Sequence, residues 1–264
     1  MIHRIGRDDD PRLDPYRHVA DAPWLRRHQL FVAEGRLVVE RTIALGCYRL
    51  RSVLVNEAAF EAMRAVLDRA GVDVYVSPDP TLARITGFNF HRGCLALVER
   101  PAALPLERLF PAARLLALEG VGNPDNVGGL FRTAGALGAG GILLGPRCGD
   151  PFYRKAIRTS MGASLRVPFT TVERWSAALP LLQDRGFRLV ALTPRAEAVP
   201  LPRAAEEIDL TTPLVLLLGS EGTGLEDGTL AQADCRVRIP IEPELDSLNV
   251  VVAAGIALDR LRPA

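Results

Sequence analysis

Apolar and polar positions settle into a regular pattern from about Gln29 onward. Leu37, Val38, Val39 and Ile43 form an apolar stripe that predicts a helix over 35–45, followed by a strand at 50–55. The pattern continues with a helix at 57–70, a strand at 72–77, a short helix near 81–85 and a strand at 94–99. This alternation predicts a small α/β domain. Residues 100–114 carry Pro101, Pro105 and Pro111 with weak periodicity, which places a boundary there. Beyond it, short apolar runs at 115–118, 142–144, 189–192, 214–218 and 237–241 read as buried strands, separated by helices at 124–137, 175–185 and 248–261. A parallel sheet with helices on both faces is the expected result. Residues 1–27 are rich in Asp, Arg and Pro and lack a period, so they are expected to form a loosely ordered arm or docking segment. The expected division is an arm over 1–26, an α/β domain over 27–103, a linker over 104–113 and a second domain over 114–264.

Composition narrows the function classes. The chain has 264 residues, 48% hydrophobic and 24% charged, with a formal net charge of +1, which argues against disordered, fibrous and nonspecific nucleic-acid-coating proteins. No apolar run reaches the roughly 18 residues of a membrane span, and the N-terminus lacks a signal-peptide pattern, so a cytoplasmic location is expected. Cys47, Cys94, Cys148 and Cys235 are far apart, with no CxxC pair and no histidine at ligand spacing. They are expected to be buried free thiols, with no metal site and no disulfide framework. A local basic segment does occur: Arg147, Arg154, Lys155, Arg158 and Arg166 face one acid, Asp150, with Phe152 and Tyr153 among them. It reads either as a solvated loop or as a nucleic-acid contact. The sequence has no G-x-S-x-G elbow and no H-E-x-x-H. His3, His18, His28 and His91 all lie in the first half and are expected to be surface or structural residues.

In an open parallel sheet, ligands bind beyond the carboxyl ends of the strands. Three such loops stand out. The first, Glu119-Gly120-Val121-Gly122-Asn123, leads into Pro124, so Asn123 is expected to cap a helix that carries Asn126 in its first turn and Arg132 about 9 Å further along. The second reads Gly219-Ser220-Glu221-Gly222-Thr223-Gly224, a backbone free to approach a ligand closely around a carboxylate. It fits neither a dinucleotide fingerprint nor a triphosphate loop. The third runs from Ile239 to Asn249 and ends Asp246-Ser247-Leu248-Asn249 before an apolar helix, with Ser247 the expected cap.

Taken in order, the three loops resemble the motifs of the SpoU (TrmH-type) branch of the SPOUT family of S-adenosylmethionine-dependent RNA methyltransferases. Asn126 with Arg132 is similar to the first motif, Gly219, Glu221 and Gly224 to the second, and Ile239, Pro240, Ser247, Leu248 and Asn249 to the third. Residues 155–163 resemble an intermediate element, and residues 27–99 resemble a ribosomal-protein-like α/β domain. Two positions depart from the pattern: Pro243 stands where a glycine is common, and Val251 where a small polar residue often follows. The resemblance implies a C-terminal trefoil knot, S-adenosylmethionine as cofactor, and a homodimer formed through the methyltransferase domain. It further implies methyl transfer to a ribose 2′-hydroxyl, in rRNA before tRNA. By the same resemblance Asn126, Arg132, Glu221, Ser247 and Asn249 are catalytic, and Thr193, Leu218, Gly219, Ile239 and Leu248 bind the cofactor. Arg154, Lys155, Arg158 and Arg166 would contact RNA, and no metal takes part. The alternatives are a tRNA methyltransferase acting on ribose or base, and a noncatalytic RNA-binding assembly factor.

Overall fold

A computed structural model describes residues 1–87, 93–242 and 244–262; His91 and Pro243 lie outside the described residues. The chain divides into two compact units, Met1–Ala102 with Pro151–Leu165, and Ala103–Asp150 with Arg166–Ala264.

The first unit is built on a five-stranded sheet of β1 (Ile2–Arg4), β2 (Leu30–Glu34), β3 (Leu50–Val55), β4 (Asp73–Val76) and β5 (Cys94–Glu99), in the order β1-β4-β3-β5-β2. β5 runs antiparallel to both neighbours, and the other pairs are parallel. Its helices are α1 (Asp14–Arg17), α2 (Ala22–Arg27), α3 (Arg36–Leu45), α4 (Glu57–Leu67) and α5 (Asp79–Thr86). The sequence dictates their limits. Asn56 caps α4 by accepting from the Ala59 amide at 2.7 Å, and α3 stops at Gly46, whose φ of 65° suits a residue without Cβ.

The expectation of a loose arm over 1–27 is overturned. Leu13, Tyr16 and Val19 are buried and join Ile5, Leu30, Leu54 and Tyr75 in one core cluster, while the Tyr16 hydroxyl lies 2.8 Å from Ser52 Oγ. Burial pushes the Tyr16 phenol well above its ordinary pKa. The elements here are only one or two turns long, too short to show a period. Their polar residues are absorbed in local pairs such as Arg12 with Asp10 and Arg17 with Asp14.

The second unit carries a seven-stranded sheet in which every pair is parallel. In chain order it comprises β6 (Arg114–Leu118), α6 (Pro124–Ala136) and β7 (Gly141–Leu144). The chain then supplies α7 (Arg154–Thr159), which belongs to the first unit. It resumes with β8 (Phe169–Thr171), α8 (Trp175–Asp184), β9 (Arg188–Leu192), β10 (Val199–Pro200), α9 (Leu201–Glu207), β11 (Leu214–Leu218), α10 (Asp227–Gln232), β12 (Cys235–Arg238) and α11 (Val250–Arg260). The order across the sheet is β10-β12-β9-β11-β6-β7-β8. β11 and β6 are central and almost wholly buried, which is why they read as continuous apolar runs. The last strand lies at Cys235–Arg238 rather than 237–241, because Pro240 has no amide to give to a ladder. Helices α6 and α11 pack so closely that a Cβ on Gly129 would come within 2.7 Å of Val251 Cγ2.

The expectation of four buried thiols holds for Cys94 alone: Cys148 and Cys235 are partly buried and Cys47 is exposed. Among the described residues no helix is long and apolar enough to cross a membrane. Replacing Tyr16 with Ala removes a buried ring and strands Ser52. It is expected to cost about 3–5 kcal/mol in urea denaturation, whereas a residue in an undocked arm would change stability by less than about 0.5 kcal/mol.

Candidate functional site

The carboxyl ends of β9, β11 and β12 open into a cavity of about 510 Å³. Three loops wall it: Leu192 to Arg195 after β9, Leu218 to Leu225 after β11, and residues between Ile239 and Val250 that lead to α11. Thr193, Leu218, Gly219, Ile239 and Leu248 all line it, as do Glu221 and Ser247. The lining is apolar at Leu192, Leu218, Ile239, Ile241 and Leu248. Two carboxylates, Glu221 and Asp246, face one cation, Arg195, which is itself paired with Asp227 at 2.5 Å. The cavity is therefore an apolar cleft of acidic character, suited to an organic cation.

The glycine loop is a tight turn. Gly224 takes φ 68°, and its amide donates to the Ser220 carbonyl at 3.1 Å, with the Ser220 and Thr223 hydroxyls 2.9 Å apart. A Cβ on Gly219 would lie 2.1 Å from the Gly224 carbonyl carbon, so this close approach excludes every other residue.

One side-chain amide joins all three motif loops. Asn249 Oδ1 accepts from the Val251 amide at 2.9 Å and caps α11. Its Nδ2 donates to Asn126 Oδ1 at 3.1 Å and to Glu221 Oε1 at 2.8 Å. Asn249 rather than Ser247 is thus the cap, and α11 begins two residues later than expected. Ser247 instead lines the cavity. Asn126 sits in the first turn of α6, which starts as expected: Asn123 accepts from the Asp125 amide at 2.9 Å, with Pro124 next.

A buried acid holds the far end of the glycine loop. Glu119 is 3% exposed, accepts from the Glu226 amide at 3.0 Å through Oε2, and accepts from Thr229 Oγ1 at 2.9 Å through Oε1. Thr229 in turn accepts from Trp175 Nε1 at 2.9 Å. Sequence reading assigned Glu119 no role. The usable signal was a carboxylate ending a strand whose Leu115–Leu118 run is fully buried, a placement that requires a partner.

The remaining candidates are placed apart from the cavity lining. Arg132 on α6 is exposed and makes no hydrogen bond or ion pair among the described residues. Arg154 is bound within the first unit, its Nη1 3.1 Å from Glu34 Oε2, with both groups largely buried. Lys155 is partly buried, whereas Arg158 and Arg166 are exposed. His3 pairs with Asp73 at 3.0 Å, while His18 and His28 stack on Trp24. Among the described residues no three His, Cys, Asp or Glu side chains are placed to hold a metal ion.

Comparison with known proteins shows the family. The chain belongs to the SpoU rRNA methylase family, which matches residues 113–259, and so is an RNA methyltransferase of that family. A tRNA/rRNA methyltransferase of Mycobacterium bovis is 37% identical over 256 residues, covering 94% of this chain and 88% of the relative. Among solved structures, an AdoMet-bound rRNA methyltransferase of Sinorhizobium meliloti superposes with a TM-score of 0.84 at 25% identity, covering 98% of this chain and 97% of that one. An RNA 2′-O ribose methyltransferase superposes with a TM-score of 0.81 at 27% identity, covering 98% of each chain.

Glu119→Ala leaves the Glu226 amide and the Thr229 hydroxyl without an acceptor and is expected to cost about 2–3 kcal/mol in chemical denaturation. Arg147→Ala, which removes an exposed partner of Glu226, should change stability by no more than about 0.5 kcal/mol.

Proposed function

We propose that the protein transfers a methyl group from S-adenosylmethionine to a ribose 2′-hydroxyl of ribosomal RNA. The observation that carries this reading is the Asn126–Asn249–Glu221 cluster beside a cavity whose lining suits the cofactor. Leu218, Ile239 and Leu248 offer an apolar slot for adenine, Gly219 and Thr193 bring backbone and hydroxyl close, and the carboxylates Glu221 and Asp246 complement a sulfonium. When bound, the cofactor supplies an activated methyl group on a cationic sulfur, and its departure needs no metal.

The chain must then place a hydroxyl in line with that methyl and favour loss of its proton. Arg132 takes this task. A guanidinium is a poor general base and a good partner for anions, so it holds the neighbouring phosphate and stabilises the developing alkoxide charge. It has no ion pair among the described residues, which leaves it available for an anion. Asn126, Asn249 and Glu221 keep the glycine loop and the start of α11 in place, and Ser247 lies on the wall where the substrate ribose enters.

The same reading includes the C-terminal trefoil knot, RNA contacts by the first unit and by Arg158 and Arg166, and a homodimer through the second unit. The homodimer is supported by Val252 and Ile256, one turn apart on α11 and 52% and 38% exposed. The full-length match to an rRNA methyltransferase favours rRNA over tRNA as substrate.

Incubation with labelled S-adenosylmethionine and unmodified rRNA or tRNA, followed by digestion and mass spectrometry, tests the proposal. A 2′-O-methylated nucleoside from the rRNA pool is expected. A methylated base, or a product from tRNA alone, overturns the corresponding part. Arg132→Ala should abolish transfer while S-adenosylhomocysteine affinity by calorimetry stays nearly intact. Gly219→Ala should lose that affinity.

A further inference from the structure

One aromatic arrangement in the first unit is not used by the proposed transfer site. The indole of Trp24, on α2, lies between two imidazoles. The His18 ring is 4.4 Å away centroid to centroid and tilted by 14°, and the His28 ring is 3.9 Å away and tilted by 22°. The three rings form one continuous stack. Its ends are held: Asp21 accepts from the Trp24 amide at 2.9 Å, and His28 Nδ1 lies 2.8 Å from the Trp24 carbonyl oxygen. Trp24 also packs against the core cluster of Leu13, Tyr16 and Leu25.

That packing requires only part of the indole. Aliphatic side chains would shield its faces equally well, yet polar aromatic rings occupy both. His28 is exposed, His18 is half-buried, and the outer face of each ring is unstacked among the described residues. Arg27, the next residue before His28, is exposed and makes no hydrogen bond or ion pair among the described residues. A preformed π-surface adjacent in sequence to a guanidinium that has no partner among the described residues is the combination that suits an unstacked base and its phosphate.

We propose that the His18–Trp24–His28 stack is a binding site for single-stranded RNA, with an unpaired base lying on the outer face of His28 and Arg27 meeting the adjoining phosphate. The proposal rests on the reading of the chain as an RNA methyltransferase and specifies that its substrate presents an unpaired nucleotide to the first unit. Bases within a duplex are already stacked and offer no free face, so the site selects loops or single strands.

Trp24 and Trp175 are the only tryptophans, and Trp175 is buried with its indole NH donated to Thr229, so Trp24 reports on the stack. The intact protein is titrated at fixed salt with a single-stranded RNA oligonucleotide of about 12 nucleotides, and separately with the duplex of the same sequence, while tryptophan fluorescence is followed. The single strand is expected to quench the signal and the duplex to have little effect. His28→Ala should weaken binding about tenfold, and His28→Phe, which keeps a ring, should restore most of it. Thermal unfolding of each variant is measured alongside, so that lost packing is separated from lost binding. Wild-type affinity in His28→Ala, equal binding of duplex, or failure of His28→Phe to recover overturns the proposal. Methyl transfer by the same preparations separates the two readings. If His28→Ala binds and methylates RNA as the wild type does, the stacking site alone fails; if the wild type neither binds nor methylates RNA, both readings fail.

Discussion

The Asn249 carboxamide is the constraint on which the site is built. Its oxygen is committed to the first turn of α11, which fixes the direction in which its two N–H groups point, and these reach Asn126 on α6 and Glu221 in the glycine loop. Three segments far apart in sequence are thereby set at one spacing. Rotation of the amide would break all three bonds together. Aspartate would offer no donor to Asn126 or Glu221 and would set a second carboxylate against Glu221, so charge as well as shape makes asparagine the residue that fits. The close packing of Gly129 on Val251 serves the same end, because it holds α6 and α11 near enough for the two asparagines to meet.

The glycine loop is fixed independently at its two ends. Near β11, Gly219 lies against Gly224 with no room for a side chain, and toward α10 the Glu119 carboxylate holds the Glu226 amide and Thr229. A wall fixed in this way loses little conformational freedom when a ligand enters, so more of the contact energy goes into affinity. The exposed pairs Arg147–Glu226 and Arg195–Asp227 lie close to the same turn, but solvent screening makes each of them a weak addition.

Much of this architecture was legible in the chain. The central strands of the second unit are dense apolar runs, and β3, β5 and β11 fall where the pattern placed them. The start of α6 followed from Asn123-Pro124, because cap chemistry acts over a few residues. What escaped the reading depends on longer range. The N-terminal residues dock through Leu13, Tyr16 and Val19 on elements too short to show a period. β8 and β10, of three and two residues, exist only because neighbouring strands offer a ladder. Among the site residues, the motif loops announced Asn126, Glu221 and Asn249, but not that one amide would join them. The task of Glu119 was hidden because its partners lie more than a hundred positions away.

Residues 151–165 have a consequence for how the molecule comes into being. They belong to the first unit, where α7 lies against β2, Phe152 stacks on Phe31 at 4.8 Å, Tyr48 donates to the Leu165 carbonyl at 2.9 Å, and Arg154 neutralises the buried Glu34. By the time they leave the ribosome, two strands of the other sheet have already been made. The first unit therefore cannot finish folding as its own stretch of chain emerges, and a nascent chain that ends in the linker carries an uncovered aromatic face and an unpaired acid. The two units are interleaved in synthesis, and a gene cut between them would sever one from part of its own core.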